Sequence, residues 1–460
     1  MTIGASSSRG SRDYDLDSVL DTIASVAGEV ARERGEEPQP MGLQDPRFDG
    51  NERRYVLECL ETTYVSSSGP FVTRFEEALA EATGAKKVLA TVNGTAALHL
   101  GLKLLGVQPG DEVLVPTLTF VATANAVTYC GAIPHFIDSE SLTLGADPGR
   151  LRRYLEAIGR MEGGVCVNRQ TGRAIRALMP MHTFGHPVDM APLLAVASDF
   201  RLEILEDAAN GLGTLYHGRH VGTFGRAAVL SFNGNKIITT GGGGALLTMD
   251  PELAQRARHL ATTAKRPHRW AYWHDEVAHN YRMPNLNAAL GLAQVEQLPD
   301  LLTRKRELAQ RYLDAFESVP GVSVFSEPAF ARSNYWLSVL LLDRADEGAR
   351  DALLEGAYDR GLGARPAWEL LHRLPMYRQC PRMDLSTAED LHARLINLPS
   401  GSGLGRPAAL EPVSAEVPCL RRRSNELGPR GSADRGSADR GASDRRAPDG
   451  RHPSVAEGSR

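Results

Sequence analysis

Residues 86–137 read KKVLATVNGTAALHLGLKLLGVQPGDEVLVPTLTFVATANAVTYCGAIPHFI, and their rhythm decides the fold class. Short apolar runs (KKVLAT, DEVLVP, IPHFID) alternate with the helical stretches TAALHLGLKLLG and ATANAVTYCG. The alternation continues through IRALMPMH (175–182), MAPLLAVASDF (190–200), LEILED (202–207), AAVLSF (227–232) and GALLTM (244–249). Strands separated by helices of this length predict an α/β fold, a mostly parallel sheet covered by helices on both faces. In such sheets ligands sit beyond the carboxyl ends of the strands.

Working outward, residues 15–31 place Leu16, Val19, Leu20, Ile23, Val26 and Val30 at helical spacing. This amphipathic helix lies in an N-terminal extension over 1–40, whose first dozen residues read as disordered. Further helices are predicted over 51–62 and 71–83. After the sheet comes a long helical stretch, 285–318, bent at Leu298-Pro299. Then follow a strand at 335–342 (YWLSVLLL), a helix at 349–361 and another at 387–395. The chain thus divides into a large domain over 41–299 and a smaller C-terminal α/β domain over 300–402, joined by the helix 300–318. Residues 403–460 repeat small and charged residues (GSADRGSADRGASDRR) and read as a disordered tail.

The composition excludes several classes of function. A net charge of −4 gives no reason to expect nucleic acid or an anionic membrane as partner. No apolar run reaches the ~18 residues of a spanning helix. The opening MTIGASSSRGSRDYD lacks an apolar signal core. Five scattered cysteines form no CxxC pair, which fits a reducing cytoplasm. His182, His186 and His220 show no metal spacing, so no metal site is expected. Of the 52 basic residues only six are lysine, at 86, 87, 103, 236, 265 and 305. Arginine cannot act as a neutral amine near neutral pH, so each lysine carries information.

Four stretches bear chemistry. In SFNGNKIITTGGGGALLT (231–248), Lys236 sits in a loop between strands, between Ser231 and four glycines. Alone it is equally well an incidental surface lysine; a desolvated lysine can also form a Schiff base with an aldehyde cofactor. In LEILEDAANGLG (202–213), Asp207 ends an apolar strand. It is either a turn cap or a carboxylate that keeps a pyridinium nitrogen protonated. In ATVNGTAALHLGL (90–102), Gly94 and Thr95 open a helix whose free N–H groups suit a phosphate, although Gly-Thr is also an ordinary helix start. In PTLTFVATANAV (116–127), Phe120 follows a strand where an aromatic could stack on a flat ring, although a core phenylalanine is the commoner outcome. All four fall at the same sheet edge, and together they are the parts a pyridoxal 5'-phosphate site requires. The motifs GxxxxGK[ST], GxGxxG and GxSxG are absent.

VNGTAAL, PTLTFVATANAV, HTFGHPVDM, LEDAA, SFNGNKIITTGGGG and NYRMPNLNAALG together resemble the DegT/DnrJ-type nucleotide-sugar aminotransferases. YVSSSGPFVTRFEEALAEATGAK, FIDSESLTLGADP, TTAKRPHRW, SNYW and LPMYRQCPRMDLSTAEDL are similar to its LegC-like subgroup, linked to legionaminic acid and bacillosamine synthesis. The resemblance runs from about residue 40 to about 400. It implies a fold-type I pyridoxal-phosphate enzyme acting as a homodimer, with its site at the subunit interface. Lys236 would carry the cofactor, and Asp207 would pair with the pyridine nitrogen. Gly94, Thr95 and Ser231 would bind the phosphate, and Phe120 would stack on the ring. Asn210, where the family usually has Gln, Glu or His, would reach the ring hydroxyl. Asn280 would reach the neighbouring subunit's phosphate. Glutamate would be the amino donor and UDP-4-keto-6-deoxy-N-acetylglucosamine the acceptor, with His186, Arg365 and Trp368 as candidate sugar or nucleotide contacts.

Two alternatives stand beside this expectation. Another fold-type I enzyme, a lyase or desulfurase, is one; a desulfurase needs a reactive cysteine, and no cysteine here has an evident activating neighbourhood. A non-catalytic regulatory protein on the same fold is the other. It would be expected to lose Lys236 or Asp207, and both are present.

Overall fold

The alternation from Lys87 to Thr248 folds as a sheet because every strand in it is an apolar run that can be buried from both faces. The computed structural model describes residues 14–37, 40–404 and 406–407. Helices α1 (Leu16–Glu33), α2 (Glu52–Glu61) and α3 (Pro70–Thr83) precede the sheet. Then come β1 (Lys87–Thr91), α4 (Gly94–Leu104), β2 (Glu112–Pro116), α5 (Val121–Tyr129), β3 (Ile133–Ile137) and α6 (Pro148–Ile158). A hairpin, β4 (Gly159–Glu162) and β5 (Val165–Asn168), leads to β6 (Ala174–Leu178), α7 (Met190–Asp199), β7 (Glu203–Asp207), β8 (Ala227–Ser231) and β9 (Gly244–Thr248). Among the described residues, nine strands join in this sheet, with the continuous order β1-β9-β8-β7-β6-β2-β3.

The pairs β8–β7, β7–β6, β6–β2 and β2–β3 are parallel. Strand β9 alone on this path runs against its neighbours β8 and β1. The carboxyl ends of β1, β2, β7 and β8 therefore share one edge. The β4–β5 hairpin pairs onto β6 and was not anticipated from sequence. Its turn is Gly163-Gly164, both at positive φ, the geometry a two-residue hairpin with the right twist requires.

Beyond the sheet, α8 (Pro251–Ala261), α9 (Asn285–Glu296) and α10 (Leu298–Phe316) follow, and the bend falls between α9 and α10, where Pro299 occupies the first turn of α10. A second, antiparallel sheet holds β10 (Val322–Val324), β11 (Val339–Leu342), β12 (Arg365–Pro366) and β13 (Leu395–Asn397), flanked by α11 (Glu347–Asp359) and α12 (Ser386–Arg394). The strand expected over 335–342 begins only at Val339. Tyr335 has φ +47, which breaks extended backbone, and residues 333–338 form a loop instead.

Two apolar cores result. The larger lies about the main sheet. In the second, Val19, Leu20, Ile23, Val26 and Val30 of α1 pack with Leu308, Tyr312 and Phe316 of α10 and Leu353 of α11. The approach is close: a Cβ on Gly356 of α11 would stand 2.5 Å from Leu20 Cδ1. The helix in the expected N-terminal extension is thus integral to a core. Gly403 and Leu404, assigned to the tail from sequence, are buried, and Leu404 belongs to this second core. The tail reading for 408–460 and the disorder expected of residues 1–12 lie outside the described residues. No helix among the described residues is long and apolar enough to cross a membrane.

Candidate active site

At the shared strand edge, β1 runs into Asn93, whose side chain accepts the Ala96 N–H at 2.7 Å and caps α4. The first-turn N–H groups of Gly94 and Thr95 have no intrahelical acceptor, and the positive end of the helix dipole adds to their pull on an anion. Ser231, at the end of β8, stands beside them. A Cβ on Gly94 would come 3.1 Å from Ser231 Cβ, and one on Gly244 would come 2.5 Å from the Gly94 nitrogen. Glycine at both positions lets three backbone segments converge.

Strand alternation separates the two acids of LEILED. Glu206 faces away from the edge. It accepts N–H groups of Gly222, Phe224 and Gly225, each at 2.7 Å, and His182 Nε2 lies 3.1 Å from it. Burial opposes its charge, but the bond from His182 and those from the backbone hold its pKa below the usual carboxylate value. Asp207 faces the edge. Its Oδ2 accepts from Thr123 Oγ1 at 2.7 Å and its Oδ1 from the Ala209 N–H at 3.1 Å. Burial, only partly offset by these bonds, pushes its pKa up. A buried carboxylate of this kind favours a cation in front of it.

Lys236 reaches the same place from the β8–β9 loop. Its Nζ donates to Asn210 Oδ1 at 2.5 Å and lies 4.2 Å from the centroid of the Trp336 ring. Burial brings the amine down from 10.5 to about 8, with Asp207 opposing the shift. A cavity of about 300 Å³ lies between these elements, and Gly94, Thr95, Phe120, Asp207, Ser231, Lys236 and Trp368 all line it. Phe120 is 51 % exposed, so it is not the core phenylalanine that its type alone would favour.

An amine of lowered basicity near a buried carboxylate, with an anion seat at a helix start, suits an anionic aldehyde cofactor. The sequence profile of the DegT/DnrJ/EryC1/StrS aminotransferase family matches residues 46–416. The chain belongs to this family. It is 39% identical over 365 residues to GDP-perosamine synthase of Caulobacter vibrioides, covering 79% of this chain and 94% of that one. It is 34% identical to the spore coat polysaccharide biosynthesis protein SpsC of Bacillus subtilis, covering 77% and 90%. Among solved structures, the aminotransferase TlmJ of Streptoalloteichus hindustanus aligns at TM-score 0.71 and 28% identity, covering 79% of this chain and 94% of that one. PseC of Helicobacter pylori, an aminotransferase of pseudaminic acid biosynthesis, aligns at 0.70 and 26%, covering 78% and 93%. The fold is that of the fold-type I enzymes, and this DegT-family enzyme is a pyridoxal-phosphate-dependent aminotransferase.

The residues present fit that cofactor. The space between the start of α4 and Ser231 is kept open by Gly94. Asp207 awaits a cationic partner. Asn210 is not among the residues that line the cavity, but its Oδ1 takes the Lys236 bond and its Nδ2 is buried without a hydrogen-bond acceptor among the described residues.

Three expected contacts lie elsewhere. His186 is fully buried and does not line the cavity: its Nδ1 meets Ser333 Oγ at 2.9 Å and its ring sits edge-on to Phe325 and Tyr335. Burial holds it neutral, down at about 3. Arg365 lies on β12, an exposed residue of the second sheet, and is also outside the cavity lining. Asn280 bridges to Thr262 and does not line the cavity of its own chain. Sequence reasoning missed Thr123 and Trp336. Thr123 reaches Asp207 from a different strand–helix unit, for which no sequence signal exists. Trp336 was legible only within SNYW, which the strand reading of 335–342 absorbed.

Proposed function

We propose that this aminotransferase moves the amino group of glutamate to UDP-4-keto-6-deoxy-N-acetylglucosamine, giving the UDP-4-amino sugar used in bacillosamine- and legionaminic acid-type synthesis. The observation that carries the chemistry is the opening of Lys236 and Asp207 onto one cavity beside the start of α4. The sugar is read from the LegC-like motifs of the sequence.

Pyridoxal phosphate supplies an electron sink for the carbon that loses its proton. Lys236 holds the cofactor, and its amine, poised near neutrality, moves the proton at the reacting carbon. Asp207 keeps the ring nitrogen charged, and Thr123 fixes the carboxylate. Gly94, Thr95 and Ser231 take the phosphate, Phe120 covers the ring face, and Asn210 Nδ2 meets the ring hydroxyl. Trp368 contacts the sugar nucleotide. The enzyme works in the cytoplasm as a homodimer in which Asn280 serves the neighbouring subunit's phosphate seat.

Incubation of the holoenzyme with glutamate and either UDP-4-keto-6-deoxy-N-acetylglucosamine or a GDP-linked 4-keto-6-deoxy sugar, followed by mass analysis, tests the substrate. Conversion of the UDP sugar to its amine is expected. Amination of the GDP sugar alone would replace the proposed substrate. Mixing Lys236→Ala with Asn280→Ala protein tests the shared site: a hybrid dimer regains one complete site, so activity above either parent is expected, and its absence counts against Asn280 crossing the interface.

A further inference from the structure

Trp336 has no assigned role in the chemistry above, yet it is the closest aromatic neighbour of the reacting amine among the ring contacts of Lys236. Its Nε1 donates to the Asn235 carbonyl at 2.6 Å, and its amide N–H donates to Asn334 Oδ1 at 2.8 Å. The polar edge of the indole is satisfied by protein, so its face is what it offers to the cavity. Trp368 lies nearly parallel to it, at 19° and 6.2 Å between centroids, and Phe184 stacks on Trp368 at 4.8 Å. This stack is held at a backbone cost. Phe184 has φ +53, and Gly185 beside it has φ +95 with no room for a side chain, since a Cβ would stand 1.9 Å from Asn334 Oδ1. Left-handed backbone retained at a non-glycine residue points to a surface whose shape matters.

On the substrate class proposed above, the keto carbon C4 must come within reach of Lys236 Nζ for proton transfer. C5 is bonded directly to C4 and carries C6. Two groups flank Nζ, the Asn210 amide oxygen at 2.5 Å and the Trp336 indole face at 4.2 Å; of the two carbons bonded to C4, C3 carries a hydroxyl that suits the amide, which leaves the C5–C6 edge to the indole. A methyl group there meets an apolar ring. A hydroxymethyl group there gives up water for a surface with no lone pair or N–H to offer.

We propose that Trp336 is a specificity-determining residue whose indole face packs on the C5–C6 edge of the sugar and selects a 6-deoxy substrate over its 6-hydroxy counterpart.

The test compares kcat/KM for UDP-4-keto-6-deoxy-N-acetylglucosamine and for UDP-4-keto-N-acetylglucosamine, with glutamate, in the holoenzyme and in Trp336→Phe and Trp336→Gln. The ratio within one preparation is independent of the fraction correctly folded, so a merely structural role does not move it. The parent is expected to prefer the 6-deoxy sugar by about 10- to 100-fold, the range an apolar wall achieves against an added hydroxyl. Trp336→Phe keeps that preference, and Trp336→Gln reduces it about tenfold or more; Trp336→His takes its place if the glutamine variant does not fold. Equal use of both sugars by the parent, or an undiminished ratio in the polar variant, overturns the proposal while leaving the substrate reading intact. Amination of neither sugar by the parent removes the substrate reading and this proposal with it.

Discussion

Lys236 is one of six lysines in a chain that otherwise uses arginine, and its surroundings exploit the difference. A guanidinium in this place would stay charged, whereas burial holds the Lys236 amine at about 8 against its ordinary 10.5. That depression has a sign for stability. Above pH 10.5 the amine is neutral both folded and unfolded, and its protonation does not affect folding. As the pH falls from 10.5 to 8 the unfolded chain binds a proton that the fold disfavours, and the penalty is complete below 8. Cofactor-free Lys236→Met protein is therefore expected to melt higher than the cofactor-free parent at pH 7, by at most about 3 kcal/mol. The difference should fade towards pH 10.5. A difference in Tm that is the same at every pH contradicts this account. Lys305 is also buried, but its Nζ donates to Gln44 Oε1 at 2.6 Å and to the Ser400 carbonyl, inside the fold and away from the cavity. Burial among lysines therefore does not by itself single out Lys236; its place on the cavity does.

At the scale of elements, strand β7 shows how one apolar run delivers two acids to two tasks. Asp207 goes to the site, whereas Glu206 gathers three backbone N–H groups of the 222–225 turn and His182. Val188 N–H donates to His182 Nδ1 at 3.3 Å, so the proton of that ring sits on Nε2, aimed at Glu206. Because these bonds outweigh burial and depress the Glu206 pKa, its contribution is present above the ordinary value of 4.5 and is lost as the pH falls through the folded value. Glu206→Gln removes the charge and turns an amide N–H₂ towards donors. A loss of about 3 kcal/mol in urea unfolding at pH 7 is expected, shrinking as the pH drops below 4.5. A deficit that does not change with pH would contradict the ionised, hydrogen-bonded reading of this group. The adjacency of Glu206 and Asp207 was legible in the sequence, and their division of labour followed from the two-residue period of a strand. The side-chain partners in each task were not, because Thr123 and His182 come from other strand–helix units of the chain.

Over the whole molecule, helix α1 precedes the family match at residue 46, yet it belongs to the second core. Ile23 is fully buried there. Ile23→Ala is expected to cost about 3 kcal/mol in urea unfolding; a loss below about 0.5 kcal/mol, the scale of a neutral surface change, would show α1 to be peripheral. The α/β class, seven of the nine strands of the main sheet and several residues that line the cavity were readable from sequence. Apolar periodicity is local, and a strand end followed by a glycine or an acid is a local event. The meeting of Gly94, Phe120, Asp207, Ser231 and Lys236 on one cavity followed once the strands were taken as parallel, because parallel strands put their carboxyl ends on one edge. What the tertiary structure alone decided were the contacts between segments far apart: Thr123 on Asp207, Trp336 beneath Lys236, His186 withdrawn behind Ser333, and α1 closed into a core with α10 and α11. Such contacts depend on how elements pack in space, and no periodicity within a single segment encodes the distance to another.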